Sequence, residues 1–466
     1  MTQQMPPQST GQECKMHKGS MARDLGSFVA GLEYAQLPPE VVEFAKSLIL
    51  KTVAGVLAGM SCPNTRKLLD DIQARALRGE VSILGTGLRT SAWEGVLLNA
   101  FAAHASELED VAIPDGGCSW DVTVIPLLLT LAEKNSMSGK ALIEATVAGL
   151  EAHYRTSLPF DVMRLGQSLP TTSGMGCAAA AAKAYGLDAE QTTAAMGFAL
   201  SGPAITEASL GTDAHFLESA LHSLQGMMGA DMARMGLTSN PDLASYKDML
   251  SKGISLDDAM ANLGTHWFFR EMWVKKYPNS ISIHRQLDAL FEIIAAERLA
   301  SDDIETVEII AGAEDAGCDN PNPVSAGEKQ FSFQHALGLA ILNGELSVSD
   351  FLDGEVDEPR LLEARGKVRV TIEAVGKSSE PVRYMSRPTT VIVRTKNGET
   401  FTKERMAVIG SVDEPMTRAQ FNAVFEQFAK HHLAPENIRA FQDTIWALEE
   451  VADMSVALGA LAPGAQ

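Results

Sequence analysis

The chain has 466 residues, 45% of them hydrophobic, which is enough to bury one large core or two medium ones. Its 59 acidic against 38 basic residues leave a formal charge of −21. A phosphate-backbone binder needs a basic face, so no nucleic-acid partner is expected. The five cysteines, at 14, 62, 118, 177 and 318, are odd in number and form no C-x-x-C pair. Neither a disulfide framework nor a zinc finger follows, and reduced thiols in a cytoplasmic protein are the expectation.

The opening MTQQMPPQSTGQECKMHKGS is polar and lacks the apolar centre of a signal peptide, so a disordered tail is expected over 1–21. Apolar runs such as Ile125–Ala132 are too short to span a bilayer, so no membrane partner is expected. From 22 to 270 the texture is helical. PPEVVEFAKSLILKTVAGVLAG starts with prolines at a helix entrance and repeats apolar residues at i, i+3, i+4 and i+7. TSAWEGVLLNAFAAHASELED has the same period, as does SGKALIEATVAGLEAHYRTSL, which Ser138 opens as an N-cap. TTSGMGCAAAAAKAYGLDAEQTTAAMGFALSGPA reads as two Ala-rich helices, with Gly186 closing the first. Between 271 and 409 the pattern changes. ETVEIIAGA, KVRVTIEAV and TTVIVRTKNGETF alternate with period two and predict strands, with Asn397-Gly398 as a turn signal. FSFQHALGLAILNGEL and SVSDFLDG predict helices between them. Helical texture then returns in RAQFNAVFEQFAKHHL and NIRAFQDTIWALEEVADMSVAL. The expected fold is mainly α: a large all-helical domain built from both chain ends, 22–270 and 410–466, with a smaller α+β domain, 271–409, inserted.

There is no phosphate-binding glycine loop, no H-E-x-x-H and no G-x-S-x-G nucleophile elbow. His431-His432 lies in a late amphipathic segment and reads as structural ahead of a metal site. The chemistry-bearing stretch is HASELEDVAIPDGGCSWDVTVIP, 104–126. It places His104, Glu107, Glu109 and Asp110 within seven residues. Three readings are open: a solvated acidic loop, a metal site, or a site in which crowded carboxylates raise each other's pKa so that one serves as acid or base.

The order of segments resembles the MmgE/PrpD family over about Leu25 to Leu461. The residues that carry the resemblance are Asn99, His104, Glu107, Glu109 and Asp110, then Ser119-Trp120-Asp121 and Val124-Ile125-Pro126. Lys275–Pro278 follow with His284 and Leu287-Asp288-Ala289, then Phe331–His335. The resemblance implies the two-domain fold above with the smaller domain as a lid, a homodimer, and a site in the cleft between domains. It also implies chemistry on small di- and tricarboxylates with neither a metal nor an organic cofactor. It points to Glu107, His215 and Lys275 as catalytic groups, and to His104, Glu109, Asp110, Ser119, Tyr277, Ser280 and His284 as substrate-binding groups. His335 is a more remote candidate.

Several positions depart from the family pattern. Ser119 and Leu169 stand where the family has histidines, and His215 stands where it has lysine. No tyrosine occurs near Ala316–Pro321, Glu107 replaces an aspartate, and Val111 replaces a small hydroxylic residue. Fewer positive groups grip a tricarboxylate less well, so a substrate less acidic or more apolar than methylcitrate is expected. The implied activity is that of a lyase, dehydratase or decarboxylase, moving a proton next to a carboxylate or carbonyl. The alternatives are an epimerase or isomerase of the family, or a non-catalytic relative.

Overall fold

Pro38 and Pro39 set the entrance of the second helix, and the apolar run behind them makes it the axis of the molecule. The computed structural model describes residues 21–76, 79–112, 117–159, 172–200, 212–242, 254–352, 358–373 and 387–462. The tail expected over 1–21 lies outside the described residues except for Met21, which opens α1 (Met21–Gly31) and is buried. In α2 (Pro39–Gly59) every residue from Ala45 to Gly59 is buried, as expected of a helix apolar on all sides. α3 (Pro63–Ala74) leads through a short hairpin, β1 (Val81–Ile83) and β2 (Leu88–Thr90), to α4 (Ala92–Ala105), which Ser91 caps. Helices α2 and α4 pack closely because Gly59 has no side chain: a Cβ there would lie 1.8 Å from the Ala102 carbonyl oxygen. A second small hairpin, β3 (Val111–Ala112) with β4 (Gly117–Cys118), leads to α5 (Trp120–Lys134), which carries Pro126 inside it. Then come α6 (Gly139–Ser157), capped by Ser138, α7 (Ser173–Ala184), closed by left-handed Gly186, α8 (Ala189–Ala199) and α9 (Asp213–Arg234).

The strands expected later in the chain form one sheet of order β6-β5-β7-β8. β5 (Ile304–Ala311) is parallel to β6 (Val368–Ile372) and antiparallel to β7 (Thr389–Thr395), which turns at Asn397-Gly398 into β8 (Thr400–Arg405). The helices Ile281–Glu297 and Phe333–Asn343 pack on this sheet. Several elements differ from expectation, beginning with the hairpins β1–β2 and β3–β4, which lie in the stretch 22–270 read as all helical. The described part of SVSDFLDG, 347–352, forms a 3-10 turn, Val348–Phe351. The helical texture of NIRAFQDTIWALEEVADMSVAL is interrupted, giving Pro435–Trp446, the turn Leu448–Glu450, and Met454–Gly459. The break is tertiary in origin. Gly139 N–H donates to the Val451 carbonyl, and Met454 N–H to that of Met137, so the chain must extend there to dock on the entrance of α6.

Two large apolar cores result, with a small third cluster of Val111, Ile281 and Val408. The larger gathers residues from Met21 to Val274 and from Met416 to Leu461, with Val348; the smaller runs from Tyr277 to Val393. Between them the chain crosses twice, side by side. Trp273 pairs with Val111 as an isolated antiparallel bridge, and Val274 N–H donates 2.8 Å to the Gly410 carbonyl. Gly410 is left-handed (φ 108°), and a Cβ there would lie 2.2 Å from the Val274 oxygen. This crossing sets Lys275 against the turn that follows α4. No helix among the described residues is long and apolar enough to cross a membrane.

Candidate active site

The acidic stretch after α4 is buried, which removes the solvated-loop reading: His104 and Asp110 are 0% exposed, Glu107 1% and Glu109 5%. Buried charges persist only when paired and hydrogen-bonded, so the partners define the site. Two residues that bound it, Glu107 (φ 55°) and Ser119 (φ 65°), adopt left-handed backbone conformations without being glycine. Such conformations cost about 1 kcal/mol or more each and persist where the surroundings over-determine them, as at functional sites.

The turn is held from below by α2 and α5. Lys51 donates to the Asp121 carboxylate and, at 2.5 Å, to the Leu108 carbonyl; Thr52 Oγ1 donates 2.7 Å to the same Asp121 oxygen, Oδ2. The Asp110 and Asp121 backbone N–H groups donate to each other's Oδ1, at 3.0 and 2.9 Å, and Ser119 N–H donates 2.8 Å to the Asp110 carbonyl. Burial and the facing Asp121 push the Asp110 carboxyl well up. Burial works the same way on Asp121, but Lys51 and its hydrogen bonds outweigh it and hold that group low.

Above the turn lie His215 from α9 and Lys275 from the crossing. The His215 ring centroid is 4.4 Å from that of His104. Its Nε2 is 3.5 Å from Glu107 Oε1, and its Nδ1 is 3.4 Å from Glu218 Oε2, one turn along α9. Lys275 Nζ donates to Glu107 Oε2 and to the Glu107 carbonyl, both at 3.3 Å, and to the Glu109 carboxylate. Ser119 Oγ is 3.3 Å from His104 Nε2.

The charges follow from these contacts. Burial pulls the His215 imidazole down, but the bonds and charges of Glu107 and Glu218 outweigh it and raise its pKa to about 10. Burial raises Glu107, yet Lys275 and His215 together hold it well below the usual range. Burial and the neighbouring Glu107 push Glu109 up to about 7 against the pull of Lys275. Burial lowers Lys275, but Glu109 and Glu107 reverse that and keep it charged. Burial, then the His215 charge, hold His104 well below the ordinary range and therefore neutral. At neutral pH the cluster thus presents two cations around a fixed carboxylate, a second carboxyl near half-protonation, and a neutral imidazole.

The other candidates lie around this centre. Tyr277 donates 3.0 Å to Asp288, which also takes Lys276 at 2.6 Å. His284 packs edge-on against Tyr277 (5.1 Å) and is held neutral by burial and then by the charges of Lys275 and Lys276. Ser280 caps the helix Ile281–Glu297 and, with Ser282, lies against the thiol of Cys318, which burial pushes up to about 11. That thiol belongs to the Ala316–Pro321 stretch that lacks a tyrosine. His335 lies among residues of the smaller core, tilted against Phe351 (5.6 Å between ring centroids), and His432 Nε2 is 3.2 Å from Ser61 Oγ. Leu169 lies outside the described residues. Among those residues no group of three or more His, Cys, Asp or Glu is arranged to hold a metal ion.

Sequence reasoning named Glu107, His215, Lys275, His104, Glu109 and Ser119, and the structure brings all six into one network. It missed Glu218 and Lys51. The i, i+3 spacing from His215 on a helical face signals Glu218. Nothing local signals Lys51, which follows the apolar run Leu48–Leu50 in α2.

A predominantly helical fold, with an acid–histidine–lysine cluster buried where its two cores meet, narrows the class. Residues 23–260 match the MmgE/PrpD N-terminal domain and residues 277–450 the MmgE/PrpD C-terminal domain, and the chain belongs to the MmgE/PrpD family. It is 23% identical over 462 residues to the cis-aconitate decarboxylase of Homo sapiens, covering 94% of this chain and 93% of that protein. The cis-aconitate decarboxylase of Mus musculus is 22% identical over 458 residues, with 94% and 92% covered. A cis-aconitate decarboxylase-like protein of Aspergillus oryzae is 22% identical over 475 residues, with 94% and 96% covered.

Proposed function

We propose that this protein is a carbon–carbon lyase that decarboxylates a small unsaturated or β-activated carboxylic acid, with His215 as the proton donor. The observation that carries this reading is the His215 imidazole held between Glu107 (3.5 Å) and Glu218 (3.4 Å) beside Lys275. Its distant relatives named as cis-aconitate decarboxylases support the same reaction type. In decarboxylation the bond to the departing carboxylate breaks and CO2 leaves. The electron pair stays on carbon, and a proton must be delivered there. A charged imidazole is suited to that delivery, and solvent then reprotonates it. A dehydratase would first need a base to take a proton from carbon. Glu107, stabilised as the anion by Lys275 and His215, is poorly matched to that task.

Lys275 supplies the attraction for a remaining carboxylate. Glu109, near half-protonation, takes up a proton and gives way when the substrate anion arrives, so the site need not hold an extra negative charge. Ser119 offers one hydrogen bond and no charge, in keeping with a substrate less acidic than a tricarboxylate.

The test is incubation in D2O with cis-aconitate and a panel of di- and tricarboxylates and their alkyl-substituted analogues, followed by CO2 and by NMR. CO2 release with one deuterium taken into the product, absent in His215→Gln, is expected. Water loss without CO2 would replace decarboxylation by dehydration. Deuterium exchange without net conversion would point to epimerisation. Silence across the panel would favour the non-catalytic reading.

A further inference from the structure

Three ionisable groups buried beneath the turn have no part in the chemistry above. They are Lys51 on α2, Asp121 at the start of α5, and Asp110 at the end of the turn. Asp110 and Asp121 are 0% exposed, and Lys51 is 1% exposed. They are unequally served. Asp121 Oδ2 takes the Lys51 ammonium and the Thr52 hydroxyl, and its Oδ1 takes the Asp110 backbone N–H. Among the described residues, Asp110 Oδ1 takes the Asp121 backbone N–H, and its Oδ2, equally buried, has no hydrogen-bond partner. One cation facing two dry carboxyl groups stabilises one anion, and the unserved oxygen is where a proton belongs.

We propose that Lys51, Asp121 and Asp110 form a clamp that positions the catalytic turn, with Lys51 as the cation, Asp121 as the anion and Asp110 as a neutral acid. The clamp grips the chain directly after Glu107, at Leu108, and again directly after Glu109, at Asp110. Lys51 holds the Leu108 carbonyl between them, and Asp110 holds the Ser119 N–H through its own carbonyl. Glu107, the residue immediately before the first grip, adopts the unfavourable left-handed conformation, and in that conformation its carboxylate reaches both His215 and Lys275. The three residues are therefore positioning residues that act through Glu107. As regards the reaction, this rests on the decarboxylase reading; as regards the geometry, it does not.

The experiment separates the two. In histidine-labelled protein the His215 imidazole is titrated by NMR, with His215→Gln assigning its signal, and no substrate is needed. In the wild type, the carboxylates of Glu107 and Glu218 are expected to hold the His215 midpoint well above 6.5, towards about 10. Asp121→Asn and Lys51→Met free the turn, and the midpoint falls toward the ordinary value by about one pH unit or more. Asp110→Asn, whose amide resembles the neutral acid in shape and charge, leaves the midpoint within about 0.3. Thr52→Val removes one 2.7 Å bond to Asp121 and shifts the midpoint in the same direction by less.

Where a substrate of the panel turns over, Asp121→Asn lowers kcat by about 10- to 100-fold with KM within about 3-fold, the signature of a displaced catalytic group. Equal falls for Asp110→Asn and Asp121→Asn would overturn the assigned protonation. A folded Asp121→Asn with a wild-type midpoint would overturn the clamp. If Asp121→Asn and Lys51→Met do not fold, an unmoved Thr52→Val midpoint does so. If no substrate is found, the decarboxylase reading fails and the titration still decides the clamp.

Discussion

Replacing Lys275 by methionine tests whether the site is held together by charge. Lys275 is 2% exposed and lies between Glu107, at 3.3 Å, and Glu109. At that separation, and an effective dielectric constant of about 20, the gross attraction to Glu107 alone is about 5 kcal/mol. Much of this offsets the cost of burying the charges. Removing one partner is nonetheless expensive, because the uncompensated carboxylates stay buried, and about 3–5 kcal/mol is expected at neutral pH and above.

The pH dependence is the sharper part. The pKa of Glu109, at about 7, lies above its ordinary value of 4.5, so between these limits the folded protein binds more protons than the unfolded chain. Its contribution to stability is therefore full below 4.5 and falls as pH rises towards 7. Without Lys275 the Glu109 pKa rises further and the falling window extends upward. The variant then loses about 1.4 kcal/mol more for each added pH unit of that window. Urea unfolding of both proteins at about pH 5.5 and about pH 8.5 measures the gap twice, and the gap should widen at the higher pH. A gap that is equal at both, or below about 1 kcal/mol at the higher pH, would refute the buried ion-pair account.

Three further outcomes are expected. His215→Gln should lower kcat by about 100- to 10,000-fold while leaving the unfolding midpoint within a few degrees, and wild-type turnover would remove its proposed role. His222, whose pKa burial lowers to about 4, binds fewer protons folded than unfolded, so stability present above 6.5 drains away as pH falls towards 4. His222→Gln should remove about 3 kcal/mol of that acid sensitivity in unfolding curves, and an unchanged acid limb would contradict it. Gly59→Ala should cost about 1–3 kcal/mol or more, because its Cβ would lie 1.8 Å from the Ala102 oxygen; a stability equal to wild type would mean that α2 and α4 can separate freely.

Much of the scaffold was legible in local pattern. The prolines before α2, the Ser138 cap, the left-handed Gly186 and the Asn397-Gly398 turn are short-range signals, and the structure repeats each. The breaks in the C-terminal helix were not legible, because their cause is a carbonyl taken by Gly139, some 300 residues earlier in the chain. In the site, His104, Glu107 and Glu109 were readable as a cluster, and the resemblance added His215 and Lys275. Whether the acids were wet or dry was not readable. Nor was Glu218 picked out, or the pairing of Asp110 with Asp121 above Lys51.

The sequence by itself determined most of the helices, the strands of the later sheet and the family, since these depend on the spacing of apolar residues and on motif order. Only the tertiary structure decided the chemistry. Lys275 reaches Glu107 across 168 residues of chain, and Lys51 reaches Asp121 across 70. The desolvation that raises Glu109 and the carboxylates that charge His215 exist only where α2, α4, α9 and the chain crossing meet. A protonation state is a property of that shared, water-free volume and not of any residue along the chain.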